Sequence, residues 1–434
     1  MWISVRQKFI FASVVAILWS SFCIWLSIPW IQDLATVVTI VPAVLAIMFI
    51  ALVPSFMYMF LFVSYIIDKR PLPPSLVRYP AVTILIAAFN EEGHILDTLH
   101  SIAVQQYHGP IQVIVIDDGS TDDTFAKVIE FKQQSQSDLS IIRHTTNKGK
   151  SHALNKGLYQ SKYDLIVTLD ADTSLSKYAV MRIVERLHAG ALRRAAVAGS
   201  VHTKNFGYSL ITKIQDWDYF NGLAPVKRVQ SLYKGTLVVQ GAFSIYRKEC
   251  LLEVGGWTES LAEDIVLSWG WLARGYYLDF AENAIAFTYI PKTYRAFFWQ
   301  RSRWARGMLE GFYAHPKVLA KGRLSTLFIY WNLLLPLIDC AFAFVFIPGL
   351  ILAFFGYFYI VGPLTLAVLP LSLINNSVFF FRQRKIFRNS GLKKQRNILG
   401  FIFYLLTYTM LMSPSVIHGY VTHLLRLKKR WGTK

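Results

Sequence analysis

Long apolar runs stand at both ends of the chain, and a polar stretch of domain size lies between them. Phe9 to Ile31 and Leu34 to Ile67 carry no charge, and each is long enough to cross a bilayer. Leu327 to Phe381 holds only Asp339, and Ile398 to Leu425 has no charge apart from two histidines. Phe9 to Ile31 exceeds a signal-peptide core and a second apolar run follows at once, so two retained spans are expected. Asp68 to Ser325 reads differently. After a stiff linker made of Pro71-Leu-Pro-Pro and Pro80, apolar residues come in short blocks separated by helical periodicity. Val82 to Ala87, Gln112 to Ile116, Leu139 to Arg143 and Leu165 to Leu169 are the expected strands. Ile95, Leu96, Leu99 and Ile102 share one helical face, and Ala153, Leu154 and Leu158 mark another helix. Ser120 or Thr121 is placed to cap the helix after the second strand. Alternation of this short period predicts an α/β, doubly wound, mostly parallel sheet.

The strand ends carry the candidate chemistry. Leu165 to Leu169 runs straight into Asp170-Ala171-Asp172. Ligands of open α/β sheets sit beyond the carboxyl ends of the strands. Two acids so close repel unless a cation lies between them, and Mg²⁺ takes one or two protein carboxylates plus substrate phosphates. The competing reading is a polar turn with Asp beside a helix N-cap. Right-handed crossovers place Asn90/Glu91, Asp117/Asp118 and Asp170/Asp172 on one edge of the sheet. Neither G-x-G-x-x-G nor G-x-x-x-x-G-K-[ST] occurs, so a nucleotide held by carboxylates and a metal fits better than a glycine cradle. Further on stand Gln240 to Arg247, Gly255-Gly256-Trp257 and Ala262-Glu263-Asp264. Ile265, Leu267, Trp269, Trp271 and Leu272 predict a helix starting near Asp264. Tyr294 to Gly307 mixes arginine with aromatics and, as a helix, is expected along the membrane surface.

Composition sharpens this picture. At 54% hydrophobic residues and a mean hydropathy of +0.38, the chain is too apolar for an ordinary soluble protein. The net charge of +19 follows from the positive-inside rule, so no nucleic acid is expected as partner. Arg6, Lys8, Lys69 and Arg70 put the N-terminus and the central domain in the cytoplasm. Residues 327–381 are long enough for two spans, with Pro336 and Pro348 as expected kinks. The charge rule then meets a conflict. Arg382 to Arg396 carries seven Lys/Arg and belongs inside, yet so do Arg426, Lys428, Lys429 and Arg430. Ile398 to Leu425 is too short for two crossings. Either the count is odd and the rule is broken, or a segment is re-entrant near Pro414. Cys23, Cys250 and Cys340 form no spacing pattern, which is consistent with a reducing compartment. No His-x-x-x-His or Cys-x-x-Cys spacing points to zinc.

Seven short motifs follow one another over roughly residues 80–310. They are Phe89-Asn90-Glu91, Asp117-Asp118-Gly119-Ser120, Asn147-Lys148-Gly149-Lys150, Asp170-Ala171-Asp172, Gly241 to Arg247 with Gly255-Gly256-Trp257, Glu263-Asp264, and Gln300-x-x-Arg303-Trp304. In this ordered set the chain resembles the processive, inverting family-2 glycosyltransferases of bacterial polysaccharide synthesis. That group holds the poly-N-acetylglucosamine, hyaluronan, chitin and cellulose synthases. Two departures stand out: Ala87 where the family usually has Pro, and Ala262 where Thr commonly precedes the Glu-Asp pair. Neither removes a group that does chemistry.

The resemblance implies a GT-A-like domain over 68–285, inserted between two transmembrane helices in 1–67 and later membrane elements. Interfacial amphipathic helices would occupy 286–325, and a C-terminal transmembrane region with a basic tail 326–434. It further implies that Asp118 contacts the uridine in a pocket walled by Phe89, Asn90 and Glu91. Asp172, with Asp170 close by, would place Mg²⁺ or Mn²⁺ on the diphosphate, and Asp264 would be the base. Glu263 orients Asp264 or faces solvent; Lys148 and Lys150 help at the nucleotide or stand solvated. Arg303 would meet the diphosphate, Trp304 stack on the acceptor sugar and Gln300 hydrogen-bond it, though an interfacial helix wants such residues for its own sake. The implied function is a synthase in the cytoplasmic membrane that extends a polymer from a UDP-sugar, with UDP-N-acetylglucosamine favoured, and passes it across the bilayer. A small accessory membrane subunit is a further expected partner. The rivals are a non-processive transferase to a lipid acceptor and an inactive membrane scaffold or transporter.

Overall fold

The computed structural model describes residues 4–135, 137–190 and 193–427. Arg426 lies within them, whereas Lys428, Lys429 and Arg430 lie outside. Two antiparallel helices, α1 (Val5–Val38) and α2 (Ile40–Ile67), open the chain, with Phe9 packed edge-on against Phe60. The break falls at Thr39, in the left-handed region at φ 70°, and α1 runs straight through Gln32 and Asp33. Helical hydrogen bonding tolerates two polar residues at the end of an apolar run, so charge alone misplaced the turn.

The central domain is an eight-stranded sheet of order β3-β2-β1-β4-β7-β6-β8-β5. β1 (Val82–Ala88), β2 (Ile111–Asp117), β3 (Asp138–Arg143) and β4 (Leu165–Leu169) are parallel neighbours in the expected places. The helices between them are α3 (Ile95–Ala103), α4 (Thr124–Gln134) and α5 (Lys150–Gln160). Side chains of β1 alternate between two cores: Ile84 and Ile86 join Leu99 and Val128, while Leu85 joins Leu154 and Leu158. Both faces are therefore covered, as aliphatic strands of this kind require, and each aliphatic side chain so buried contributes about 2 kcal/mol. Neither Ser120 nor Thr121 caps α4. The N-cap is Asp123, whose side chain makes no capping bond; Asp122 Oδ1, one residue earlier, accepts from the Thr124 amide at 3.0 Å. Ser120 Oγ instead accepts from Asn90 N at 3.0 Å and the Thr121 amide donates to Asn90 Oδ1 at 2.9 Å. These bonds tie the ends of β1 and β2 together.

The second half of the sheet is mixed. Asp170 to Asp172 turn the chain from β4 into a short β5 (Thr173–Leu175), which pairs antiparallel with β8 (Tyr277–Thr288). Then come α6 (Ala179–His188), β6 (Arg194–Thr203), α7 (Leu210–Trp217), a π-helical turn over Asp218–Leu223 and α8 (Ala224–Leu232). β7 (Phe243–Arg247) runs antiparallel between β4 and β6. α9 (Lys248–Glu253) and α10 (Glu263–Arg274) precede β8, so the expected helix at Asp264 is present. α11 (Tyr294–Ala314) starts with Thr293 Oγ1 accepting from the Ala296 amide at 3.3 Å.

Three long helices close the described residues: α12 (Thr326–Phe354), α13 (Pro363–Asn389) and α14 (Ile398–Leu424). α1, α2, α12 and α14 are long and apolar enough to cross a membrane. α12 holds Pro336 within it and passes through a π-helical turn at Phe342–Phe346. Position tells a different story from composition. The loop before α13 lies beside Trp30, whose indole donates to the Tyr359 carbonyl at 2.7 Å. The other end of α13 inserts Phe387 against Phe220 and Ile285 of the central domain. α14, unbroken through Pro414, touches that domain's side at both ends. Asn397 donates to the Lys213 carbonyl at 2.8 Å, and the carbonyl of Leu427 accepts from Arg306 at 2.8 Å. Between them Ser302 Oγ meets His418 Nδ1 at 2.8 Å.

One polar joint fastens the membrane helices to the sheet. Asp68, fully buried at the end of α2, takes Arg70 Nη2 and Arg228 Nε at 2.9 Å each. Arg382 of α13 donates to the carbonyls of Tyr65 and Asp68, and Arg228 also pairs with Glu282 of β8. Burial pushes the Asp68 carboxyl up, but Arg70 and Arg228 overcome it and bring the pKa to about 2.

Candidate active site

Beyond the carboxyl ends of β1, β2 and β4 lies a cleft of ≈ 990 Å³, a volume suited to a small-molecule ligand. Phe89, Glu91 and Asp118 wall one end, Lys150, Asp170 and Asp172 stand beside them, and Glu263 and Asp264 face in from α10. Gln300, Arg303 and Trp304 of α11 complete the lining. Residues far apart in the chain thus meet in one place because parallel strands deliver their ends to one edge.

Asn90 and Lys148 stand outside this lining. Asn90 sits at φ 54°, a conformation Asn tolerates better than most residues, and acts by holding the β2 loop. Lys148 is exposed, and its contribution is a backbone one. Its amide donates to Asp118 Oδ1 at 3.0 Å, while the Gly149 amide donates to Oδ2 at 2.7 Å and His144 Nδ1 meets Oδ1 at 2.7 Å. Asp118 therefore clamps the 144–149 loop to the end of β2. A carboxylate has about four acceptor positions, so this clamp still leaves capacity towards the cleft. Gly119, at φ +77°, has no room for a side chain: a Cβ would stand 2.8 Å from the Asn147 amide.

Lys150 is the pivot. Its ammonium sits 2.5 Å from Asp170 Oδ1 and 3.6 Å from Glu263 Oε1, linking the aspartate pair to the acids of α10. Burial would lower its pKa, but Asp170 and Glu263 outweigh that and hold it well above the usual lysine range. It is no solvated surface lysine. Glu263 does not face solvent either. Burial raises its carboxyl pKa, Lys150 opposes the rise and neighbouring Asp264 reinforces it. Gly241 leaves space here, since a Cβ would meet Lys150 Nζ at 2.8 Å.

Asp170 and Asp172 lie at a corner between two strands rather than at a helix N-cap. Asp172 Oδ1 accepts from Thr288 Oγ1 at 3.2 Å, across the β5–β8 pair. Among the described residues no group of three His, Cys, Asp or Glu converges to cage a metal. The donor set is two carboxylates opening on a cleft, which fits a hard divalent cation that completes its shell from substrate oxygens and water.

α11 braces Asp264 from behind. Glu310 Oε2 accepts from Ser260 Oγ at 2.6 Å and from the Leu261 amide at 3.3 Å. Gly307 packs so tightly that a Cβ there would stand 2.1 Å from Ala262 Cβ, so Ala262 suits this helix better than a larger residue would. Several cleft residues escape sequence reasoning, four of them aromatic or titratable side chains with visible partners or positions. His94 stacks on Tyr289 with ring centroids 4.0 Å apart, Tyr219 enters from the π-helical turn, and Lys227 donates to the Val238 carbonyl at 2.9 Å. Burial lowers the Lys227 pKa to about 8, against the pull of Asp264. Only His94, three residues beyond Glu91, had a nearby signal.

A mixed, mostly parallel sheet with acids at its carboxyl edge, flanked by long apolar helices, is the GT-A-like arrangement that the resemblance implied. Residues 83–255 match the model of glycosyl transferase family 2. It is 31% identical over 246 residues to the poly-beta-1,6-N-acetyl-D-glucosamine synthase of Staphylococcus aureus (strain MSSA476), an alignment spanning 56% of this chain and 58% of that relative. The synthase of the same name from Staphylococcus epidermidis is 30% identical over 270 residues, 60% of this chain and 64% of the relative. Among solved structures, the mannosyltransferase PcManGT from Pyrobaculum calidifontis, in complex with GDP-Man and Mn²⁺, superposes with a TM-score of 0.60 at 20% identity. That match covers 88% of this chain and all of the other, and shows the shared fold.

Proposed function

We propose that this chain is a membrane-embedded polysaccharide synthase. It would transfer a sugar from a UDP-sugar to a growing polymer with inversion and pass the product across the bilayer. The observation that carries the reading is the single cleft in which Asp172, Asp264 and Arg303 meet beside helices long enough to span a membrane. N-acetylglucosamine is the favoured sugar, supported by the names of the two staphylococcal relatives.

In this reading Asp264 accepts the proton of the acceptor hydroxyl as its oxygen bonds to the anomeric carbon. The bond to UDP breaks on the opposite face, and UDP leaves with the electron pair. Glu263 and Lys150 hold the Asp264 side of the cleft to the Asp170 side. Asp170 and Asp172 would hold Mg²⁺ or Mn²⁺, which supplies Lewis-acid neutralisation of the departing diphosphate. Arg303 adds a fixed positive charge there, and Trp304 offers an apolar face for the acceptor ring. Purified protein given a panel of labelled UDP-sugars should lengthen a product with one of them. Release of UDP without lengthening favours transfer to a lipid acceptor, and no release favours the inactive scaffold.

The helix geometry also suggests how the charge conflict resolves. With α1, α2, α12 and α13 crossing and α14 lying along α7 and α11 at the membrane surface, both basic stretches stay on the catalytic side. Green fluorescent protein fused after Lys434 should then fluoresce and alkaline phosphatase fused there should be inactive. The opposite pair of results would make α14 a span.

A further inference from the structure

Arg301 lies between Gln300 and Arg303, yet it does not line the cleft. It is buried, and its guanidinium donates from Nη2 to Asp218 Oδ2 at 2.8 Å. The same guanidinium lies against the indole of Trp304, with Cζ 4.1 Å from the ring centroid, and Phe297 flanks it at 5.1 Å. Arg301 Nε finds no hydrogen-bond acceptor among the described residues. A buried ion pair is a weak source of stability, because desolvation offsets most of its attraction. Placement is the stronger reason for one here.

Asp218 begins the π-helical turn, and the next residue, Tyr219, lines the cleft together with Leu223. Segments of this kind are frequent at functional sites, where the extra residue per turn redirects side chains. The turn is tight: a Cβ on Gly222 would meet Asp218 Oδ1 at 2.8 Å. One ion pair therefore joins the wall that carries Tyr219 to the helix that carries Trp304. Arg301 props an indole that itself lines the cleft.

We infer that Asp218 and Arg301 are positioning residues that fix the plane of Trp304, and with it the seat of the acceptor sugar. The assignment rests on the proposed acceptor role of Trp304. Removing the cation from beneath the ring should leave donor binding alone and loosen the acceptor.

Two readouts test this. The first needs no activity. With 5-fluorotryptophan incorporated, the Trp304 fluorine resonance is identified by its loss in Trp304→Phe. It should move in the double variant Asp218→Asn/Arg301→Gln, which keeps a neutral hydrogen-bonded pair and avoids stranding one buried charge. An unmoved resonance overturns the inference whether or not the chain makes polymer. The second readout is kinetic. The KM for the UDP-sugar should stay unchanged while the apparent acceptor affinity falls about three- to thirtyfold, the scale of a desolvated cation–π contact. In a Trp304→Ala background the Asp218/Arg301 change should add nothing further. Multiplying effects would overturn the inference. Failure of the unmodified chain to transfer any sugar would instead sink the functional reading, with the fluorine result still deciding the positioning role.

Discussion

Replacing Asp264 with Asn lowers UDP release and polymer output together by about 10²- to 10⁴-fold, the contribution expected of a positioned general base. Asn keeps the shape of the side chain, so UDP-sugar binding measured by calorimetry stays near the unmodified value. The contrast is Glu263→Gln. Glu263 is buried beside Lys150, and in our reading it touches no reacting atom, so its loss is smaller and includes weakened donor binding. An Asp264→Asn variant that retains full rate would move the base elsewhere. Unchanged polymer output with no UDP release in either protein would identify a scaffold.

Asp172→Ala should be nearly as damaging. A catalytic divalent ion supplies several kcal/mol, so losing one of its two carboxylates costs roughly 10²-fold or more in rate. Chelation of the unmodified protein should abolish transfer, and added Mn²⁺ or Mg²⁺ should restore it. The two variants then separate by titration. Asp172→Ala needs a higher metal concentration to reach its residual rate, whereas Asp264→Asn keeps the unmodified requirement. Equal metal dependence in all three would argue that the ion binds away from Asp172.

The strands of the first half of the domain are legible in the apolar pattern. Leu165–Leu169 is the strand that the apolar pattern predicts, and β2 extends the expected Gln112 to Ile116 by one residue at each end. Short buried strands write their burial directly into sequence. The acids followed because strand direction alone decides where a strand's end points. What the pattern hides is non-local. Asp172 meets Thr288 across a strand pair separated by more than a hundred residues, and no periodicity announces β5. Lys227 is an ordinary lysine until α8 carries it into the cleft. The π-helical turn at Asp218–Leu223 leaves no mark in the apolar spacing. α14 is the plainest case: its composition suits a span, while Asn397 and Leu427 tie its two ends to α7 and α11. Hydropathy reports what a helix can bury, not the direction in which it lies.

The cluster at Asp68 bears on how such an enzyme could move. A carboxylate gripped by two guanidiniums, with a third arginine closing over the neighbouring carbonyls, is a welded seam rather than a swivel. Opening it would strand charge in a dry pocket. Rocking of the sheet against the first helix pair is thereby costly. In the proposed synthase, each added sugar would then meet the bilayer at an unvarying angle, as thread meets a needle clamped in its frame.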